Sequence, residues 1–223
     1  MKRIPINERA LPNYSRGEEI TNMVTHIIGV AIGFFTLVMG VIISKSHNDP
    51  WAVVGSIIYG ISMISLFAVS SIYHGLKPCF GKKVMQVIDH CTIYFLIAGT
   101  YTPIILSAIR PVYPTLAWGI FAAEWGLTAL AVTLTAIDLK KYYRFSMFCY
   151  LAMGWIIILA IKPAIEVMSI DGLLLLLYGG IVYTIGAVLY AIGKKKKYLH
   201  SVFHVFVDVG CILQAVCILK YVI

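Results

Sequence analysis

The sequence predicts an all-α membrane protein with seven transmembrane helices. Of its 223 residues, 60% are apolar and 13% are charged, whereas an average soluble domain has about 25% charged residues. The mean hydropathy is +0.88, and the apolar residues form continuous runs, which excludes the alternating pattern of a membrane β-barrel. A spanning helix needs about 20 residues, so the chain has room for about seven spans with short loops.

Seven apolar runs follow a more polar tail that contains Pro5 and Pro12. The predicted organisation is therefore a tail at 1–20 and one transmembrane domain at 21–223. The fifth run is the shortest, because Lys162 and Pro163 end it, and the sixth is the clearest, because it contains five consecutive leucines. The predicted spans, in order, are 21–43, 52–74, 84–109, 114–135, 145–161, 172–192 and 199–222.

The basic residues alternate between the two ends of these spans. Four lie in the tail, and the loops after the second, fourth and sixth spans carry three, three and four. The other four of the 18 Lys and Arg residues lie at the opposite ends. Basic loops stay in the cytoplasm during insertion, so we expect a cytoplasmic N-terminus and a C-terminus outside. The net charge of +8 thus reflects topology and indicates no nucleic-acid partner; for the lysines at 194–197, attraction of anionic headgroups is the alternative.

Ionisable side chains inside spans are costly and are therefore candidates for function. His200 and His204 are spaced i, i+4 at the start of the seventh span, and His74 ends the second. In the predicted topology these residues lie at one depth with Ser70 and Asp89, near the cytoplasmic boundary. Three protein ligands and a fourth position open to water are typical of a catalytic zinc site. In such a site Asp89 is the candidate general base, and Ser70 is the candidate hydrogen-bond donor to the water or to a developing oxyanion.

Further polar residues accompany these histidines and are candidates for the shell that orients them. Asp208 lies one turn deeper in the seventh span. Glu19, Asn22 and His26 share one face of the first span. Each pattern also has a structural interpretation, since helix-capping acids, interfacial histidines and hydrogen-bonded clusters occur in membrane helices. Glu124, in the middle of the fourth span, is outside this layer and is as compatible with a structural role as with a functional one.

At these positions the sequence resembles the progestin and adipoQ receptor family, specifically its bacterial hemolysin III branch. The matching segments are Glu19-x-x-Asn22-x-x-Thr25-His26, Ser70-x-x-x-His74, Asp89, and His200-x-x-x-His204 with Asp208. They occur in the family's order and on the corresponding spans, and the resemblance covers nearly the whole chain. It implies a zinc ion held by His74, His200 and His204, with Asp89 and Ser70 near the metal-bound water.

The resemblance also implies a multi-pass protein of the bacterial plasma membrane that takes part in membrane-lipid homeostasis. The wider group resembles alkaline ceramidases, which implies zinc-dependent hydrolysis of a lipid amide or ester at the cytoplasmic leaflet, with a membrane lipid as substrate or ligand. The hemolysin III name implies instead a cytolytic, pore-forming protein, although the sequence has no segment typical of a soluble-to-membrane switch. A third alternative is a non-catalytic sensor or receptor in which zinc only holds helices together.

Overall fold

The computed structural model describes residues 4–192 and 196–223, and every regular element within these two ranges is a helix. A short 3-10 turn, Ile6–Glu8, precedes the first long helix, a π-helical turn, Ile104–Ile109, extends the third, and a 3-10 turn, Ile156–Ala160, precedes the sixth. The α-helices are α1 (Arg16–Ser46), α2 (Pro50–Gly75), α3 (Phe80–Pro103), α4 (Pro114–Asp138), α5 (Tyr143–Gly154), α6 (Ile161–Ile192) and α7 (Leu199–Tyr221).

Helix α1 begins inside the segment predicted as a tail, because Ser15 and Glu18 form a capping box. The Ser15 hydroxyl accepts a hydrogen bond from the N–H of Glu18, and the Glu18 carboxylate accepts one from the N–H of Ser15. Glu18 and Glu19 lie in the first turn, where acidic side chains are favourable near the positive end of the helix dipole. Glu19 is therefore an ordered part of α1.

Among the described residues, six helical stretches are long and apolar enough to cross a membrane, and the chain is a multi-pass membrane protein. The fifth stretch, Tyr143–Ile192, has 50 residues. At about 1.5 Å per residue it would measure about 75 Å if straight, more than twice the bilayer core of about 30 Å. It is broken at Ser169, where φ is 61°, and the Ser169 hydroxyl accepts a hydrogen bond from the N–H of Gly172. A seventh crossing and the orientation of the termini stay predictions.

The connection predicted at 162–171 is mostly helical in the structure, and the predicted fifth span is not a continuous α-helix. Helix α5 ends at Gly154, and the chain then tightens into a 3-10 turn before α6 begins at Ile161. Pro163 lies in the first turn of α6, where the missing N–H of proline has no intrahelical partner to lose. The Lys162–Pro163 pair, predicted to end a helix, therefore lies at the start of one.

Helix α1 buries its polar and small residues and directs large apolar ones outwards. The buried positions of α1 are Glu18, Asn22, His26, Gly29, Gly33, Thr36, Gly40 and Ser44. Phe34 and Phe35 of the same helix are each more than half exposed, as expected for side chains that face lipid. Small residues let membrane helices approach closely, and an ideal Cβ at Gly29 would lie only 2.4 Å from the Phe67 ring of α2. Because α1 packs against both α2 and α7, the end of α2 and the start of α7 meet beside it.

Candidate metal centre

Three histidines converge where α2 ends and α7 begins. His74 lies in the last turn of α2, and His200 and His204 are one turn apart near the start of α7, so that their side chains share a face. One ligand nitrogen from each of the three lies within 4.8 Å of the others. The structure thus brings together the three histidines that the sequence predicts as metal ligands.

Two donor atoms of this triad have nearly the separation expected around a tetrahedral zinc ion. The Nε2 atoms of His200 and His204 are 3.1 Å apart, close to the separation of about 3.4 Å between two ligands that each lie about 2.1 Å from a tetrahedral metal. The Nε2 atom of His74 is buried and has no hydrogen-bond partner among the described residues. A buried nitrogen without a partner is costly unless something else binds it, and a metal ion would do so.

A carboxylate orients the first of these imidazoles. The Nδ1 atom of His74 lies 2.6 Å from Oε2 of Glu19, an arrangement that fixes the tautomer and leaves Nε2 as the ligand atom. The other oxygen of Glu19 accepts a hydrogen bond from Nζ of Lys82 at 2.6 Å, and Lys82 is only 2% exposed. The sequence predicts Lys82 to be one of the three basic residues of the loop after the second span. The sequence has no pattern that indicates the contact of Lys82 with Glu19, because only the fold brings this side chain back to α1.

Asn22 contacts α7 through both its backbone and its side chain. Its carbonyl oxygen lies 3.2 Å from Nδ1 of His204, which again directs the Nε2 lone pair away from the backbone. Its side-chain oxygen accepts a hydrogen bond from the Ser201 hydroxyl at 2.5 Å. Glu19 and Asn22 therefore both contact groups of the triad, at the positions where a supporting shell is required.

The other two predicted supporting residues have different surroundings. The ring of His26 stacks on that of His204, with centroids 3.7 Å apart and an interplanar angle of 13°. Both ring nitrogens of His26 are buried without a hydrogen-bond partner in the described part of the chain. The Oδ1 atom of Asp208 is likewise buried without such a partner. The imidazole contacts that Asp208 was predicted to make are supplied by Glu19 and by the Asn22 carbonyl.

A cavity extends from the histidines into the helix bundle. Its polar end is lined by Ser70, Asp89, His90, His200 and His204 together with His26. Its walls continue along α3, α5, α6 and α7 with mostly apolar or aromatic side chains, including Leu96, Tyr101, Leu151, Phe203 and Val207. His74 is not part of this wall. A cavity with a polar end and an apolar body fits an amphiphilic ligand.

Asp89 and Ser70 lie in the wall of the cavity beside the histidines. The Ser70 hydroxyl hydrogen-bonds the Asp89 carboxylate, and the Asp89 side chain retains 16% exposure, which the cavity accounts for. His90 also lines the cavity, and its Nδ1 lies 2.8 Å from the Gln86 carbonyl oxygen. The structure therefore gathers the predicted base, the predicted hydrogen-bond donor and two of the three metal-ligand candidates in one wall.

Tyr14 contacts the triad from outside the bundle. Its ring stacks on the His200 imidazole with centroids 5.0 Å apart and an interplanar angle of 14°, and it lies 5.8 Å from the His74 ring. Burial raises the pKa of the Tyr14 phenol above its usual range, with smaller effects from Tyr190, Glu19 and other acidic groups, so the ring stays neutral. No sequence pattern pointed to Tyr14, because the tail that carries it has no periodicity.

Glu124 lies apart from this centre. It is fully buried in the middle of α4, and neither carboxylate oxygen has a hydrogen-bond partner among the described residues. Glu124 interacts electrostatically with Tyr101, whose hydroxyl donates to the Gly154 carbonyl. The structure thus gives Glu124 no ion-pair partner within residues 4–192 and 196–223.

Comparison with known proteins shows the family to which the chain belongs. A family model described as "Haemolysin-III related" matches residues 14–215. The chain is 36% identical over 206 residues to "Hemolysin-3" of Bacillus cereus, covering 92% of each chain. It is 36% identical over 204 residues to the "Hemolysin-3 homolog" of Bacillus subtilis (strain 168), covering 92% of this chain and 94% of the relative.

A more distant relative is animal. The "Monocyte to macrophage differentiation factor" of Homo sapiens is 27% identical over 230 residues, covering 98% of this chain and 90% of the relative. The matched region contains Glu19, the histidine triad and Asp89, so the site described above lies inside the shared region. These findings confirm the resemblance inferred from the motifs, and the chain belongs to the Haemolysin-III related family.

Proposed function

We propose that this protein is a zinc-dependent hydrolase of a lipid amide or ester that acts at the cytoplasmic leaflet of the bacterial plasma membrane and serves membrane-lipid homeostasis. One observation carries the proposal: the ligand nitrogens of His74, His200 and His204 lie within 4.8 Å of one another, beside the polar end of an apolar cavity. Three protein ligands leave a position for water, which is the arrangement of catalytic zinc.

The residues around the triad have the chemistry that such a hydrolysis needs. Zinc, when bound, supplies a Lewis acid for the carbonyl and lowers the pKa of a bound water towards 7. The Asp89 carboxylate accepts the proton of the attacking water and returns it to the amine or alcohol as the C–N or C–O bond breaks. The Ser70 hydroxyl holds that carboxylate by its hydrogen bond, and Glu19 and Asn22 keep the imidazoles of His74 and His204 in the ligating tautomer.

The cavity supports an acyl chain as the apolar part of the substrate. Both His200 and Gln214 line it, and they are 14 residues apart on α7, which corresponds to about 21 Å at 1.5 Å per residue. An extended chain with C–C bonds of about 1.5 Å advances about 1.3 Å per carbon, so about 16 carbons fit this length. The scissile bond then lies near the histidines and the tail lies between α3, α5, α6 and α7.

Metal content and lipid turnover test this proposal together. Protein purified in detergent is analysed for zinc and then incubated with a panel of N-acyl and O-acyl lipids, and released fatty acid is measured by mass spectrometry. We expect about one zinc per chain, fatty-acid release that a chelator stops and added zinc restores, and a preference for chains near 16 carbons. Zinc-loaded protein that releases no fatty acid from the panel would contradict catalysis and favour a non-catalytic, zinc-stabilised sensor.

Glu19→Gln should weaken zinc binding, because a neutral amide polarises the His74 imidazole less than a carboxylate does. Loss of such an orienting group typically lowers metal affinity 10- to 100-fold, and we expect about tenfold here, measured by competition with a chromogenic chelator. Glu166→Gln is the matched control, since Glu166 is exposed and bonded to Tyr113 far from the triad. Unchanged zinc affinity in Glu19→Gln would show that the carboxylate does not tune the metal ligands.

We propose further that the stretch Tyr143–Ile192 crosses the membrane twice, which gives seven spans with the N-terminus inside and the C-terminus outside. Its length and the break at Ser169 support the two crossings, and the distribution of basic residues supports the orientation. Lys194 and Lys195 of the basic run lie outside the described residues. Alkaline phosphatase, active only outside the cytoplasm, should be active when fused after residue 223 and inactive when fused after residue 141; the reverse would overturn the orientation.

A second candidate function is cytolysis, which the names of the two Bacillus relatives suggest. It predicts that protein reconstituted in liposomes releases a trapped dye and that this release persists after the zinc has been removed by chelation. Tight liposomes with measurable fatty-acid release favour the hydrolase, and dye release without hydrolysis favours the pore.

A further inference from the structure

The segment before α1 crosses the end of the bundle at which the triad lies. Residues 4–15, here named the N-terminal strap, are fixed at one end by the capping box of Ser15 and Glu18. Near the other end, the Arg9 guanidinium donates to the carbonyl of Ile137 at the end of α4, and Nζ of Lys83 in α3 donates to the carbonyl of Asn7. The strap therefore spans from α1 to α3 and α4.

The strap contacts the triad through Tyr14. The parallel stacking of its ring on His200 and its approach to His74 cover two of the three imidazoles. Stacked aromatic rings contribute a modest but specific attraction beyond the area that they bury. The ring therefore both covers the site and restricts the orientation of the His200 imidazole.

The strap is also joined to the turn that positions His200. The Glu18 carboxylate that closes the capping box accepts a hydrogen bond from the backbone N–H of Tyr198 at 2.8 Å. Tyr198 has a left-handed backbone with φ 60°, a conformation that is unfavourable for a bulky residue without such support. His200 follows two residues later, so the strap's anchor and the start of α7 are held by one carboxylate.

We infer that the N-terminal strap is a cover for the triad, that Tyr14 is a positioning residue for His200, and that undocking of the strap controls exchange between the site and the aqueous phase. The part that concerns zinc rests on the proposed function. The part that concerns docking rests only on the contacts of Tyr14, Arg9 and Lys83, and the experiment separates the two.

Cleavage by trypsin measures docking of the N-terminal strap, and this assay requires no bound metal. The Arg9 side chain must leave the Ile137 carbonyl to enter the protease, so cleavage after Arg9 measures the undocked fraction. Because one stacked ring is worth a factor of about two to ten in an equilibrium, we expect Tyr14→Ala to be cleaved about three- to tenfold faster. Tyr14→Phe, which keeps the ring, should be cleaved at the wild-type rate. Equal rates for Tyr14→Ala and wild type would overturn the inference.

The rates of zinc exchange distinguish the covering role of the strap from the positioning of His200 by Tyr14. Lys83→Met removes an anchor that does not touch the triad, so zinc loss to a chelator and zinc uptake should both accelerate about threefold at unchanged Kd. Tyr14→Ala should accelerate loss more than uptake and raise Kd, because His200 is also less well oriented. Wild-type exchange rates in Lys83→Met would overturn the covering role. If the protein binds no zinc, the proposed function is wrong. The rates of tryptic cleavage alone then test whether the strap docks through Tyr14.

Discussion

His204→Ala should lose bound zinc and lipid hydrolysis together. His204 is 2% exposed, its Nε2 lies 3.1 Å from that of His200, and its Nδ1 lies 3.2 Å from the Asn22 carbonyl oxygen. Alanine removes one of three ligands, so zinc affinity should fall by more than the 10- to 100-fold typical of losing an orienting residue. The measurement is zinc per chain by elemental analysis, with fatty-acid release from the preferred lipid in the same preparation.

The matched control for this loss is His47→Ala. His47 is exposed at the end of α1, away from the triad, so this variant also lacks one histidine but should keep zinc and activity. Hydrolysis that continues in zinc-free His204→Ala would refute a zinc-dependent mechanism. Retention of one tightly bound zinc would remove His204 from the ligand set.

Asp89→Asn should keep zinc and lose most of its turnover. An amide cannot accept the proton of the attacking water, and loss of a positioned general base typically lowers rates by about 10² to 10⁴. The side chain is nearly isosteric and can still accept the hydrogen bond from Ser70, so the cavity should keep its shape. The measurement is kcat for fatty-acid release at a fixed zinc content.

Asp171→Asn, which changes an exposed carboxylate of α6, is the control for Asp89→Asn. A kcat within twofold of wild type in Asp89→Asn would exclude Asp89 as the base. Loss of zinc in that variant would instead make Asp89 a fourth ligand, and a closed set of four protein ligands is typical of a structural zinc site.

The sequence was sufficient for the parts of the site that follow from helical periodicity and depth. His200 and His204 share a face because they are four residues apart, and His74 and Asp89 could be placed beside them once the topology put all four at one depth. Glu19 and Asn22 were found on one face of α1 by the same spacing. The spacing of residues along one helix and the direction of each span can both be inferred from a single sequence.

Features that depend on irregular backbone or on long side chains were missed. Tyr14 belongs to a segment whose path is set by Arg9 and Lys83 contacts with distant elements. Lys82 looks like a loop charge until its ammonium group is seen against Glu19. The 3-10 turn Ile156–Ala160 lies inside the predicted fifth span, and hydropathy does not register a change of backbone winding within an apolar run.

Glu124 has a consequence for how the chain enters the membrane. An acidic residue at the centre of a span costs on the order of 3 kcal/mol when the helix is inserted alone, and the mean hydropathy of an apolar 18-residue segment is 1.6 in α4 against 2.5 in α1. Glu124 is buried among its neighbours in the finished protein, and α4 packs against α3. During synthesis α4 therefore partitions less readily by itself than α1 does, and packing against α3, which precedes it in the chain, offsets part of the cost of its acidic residue.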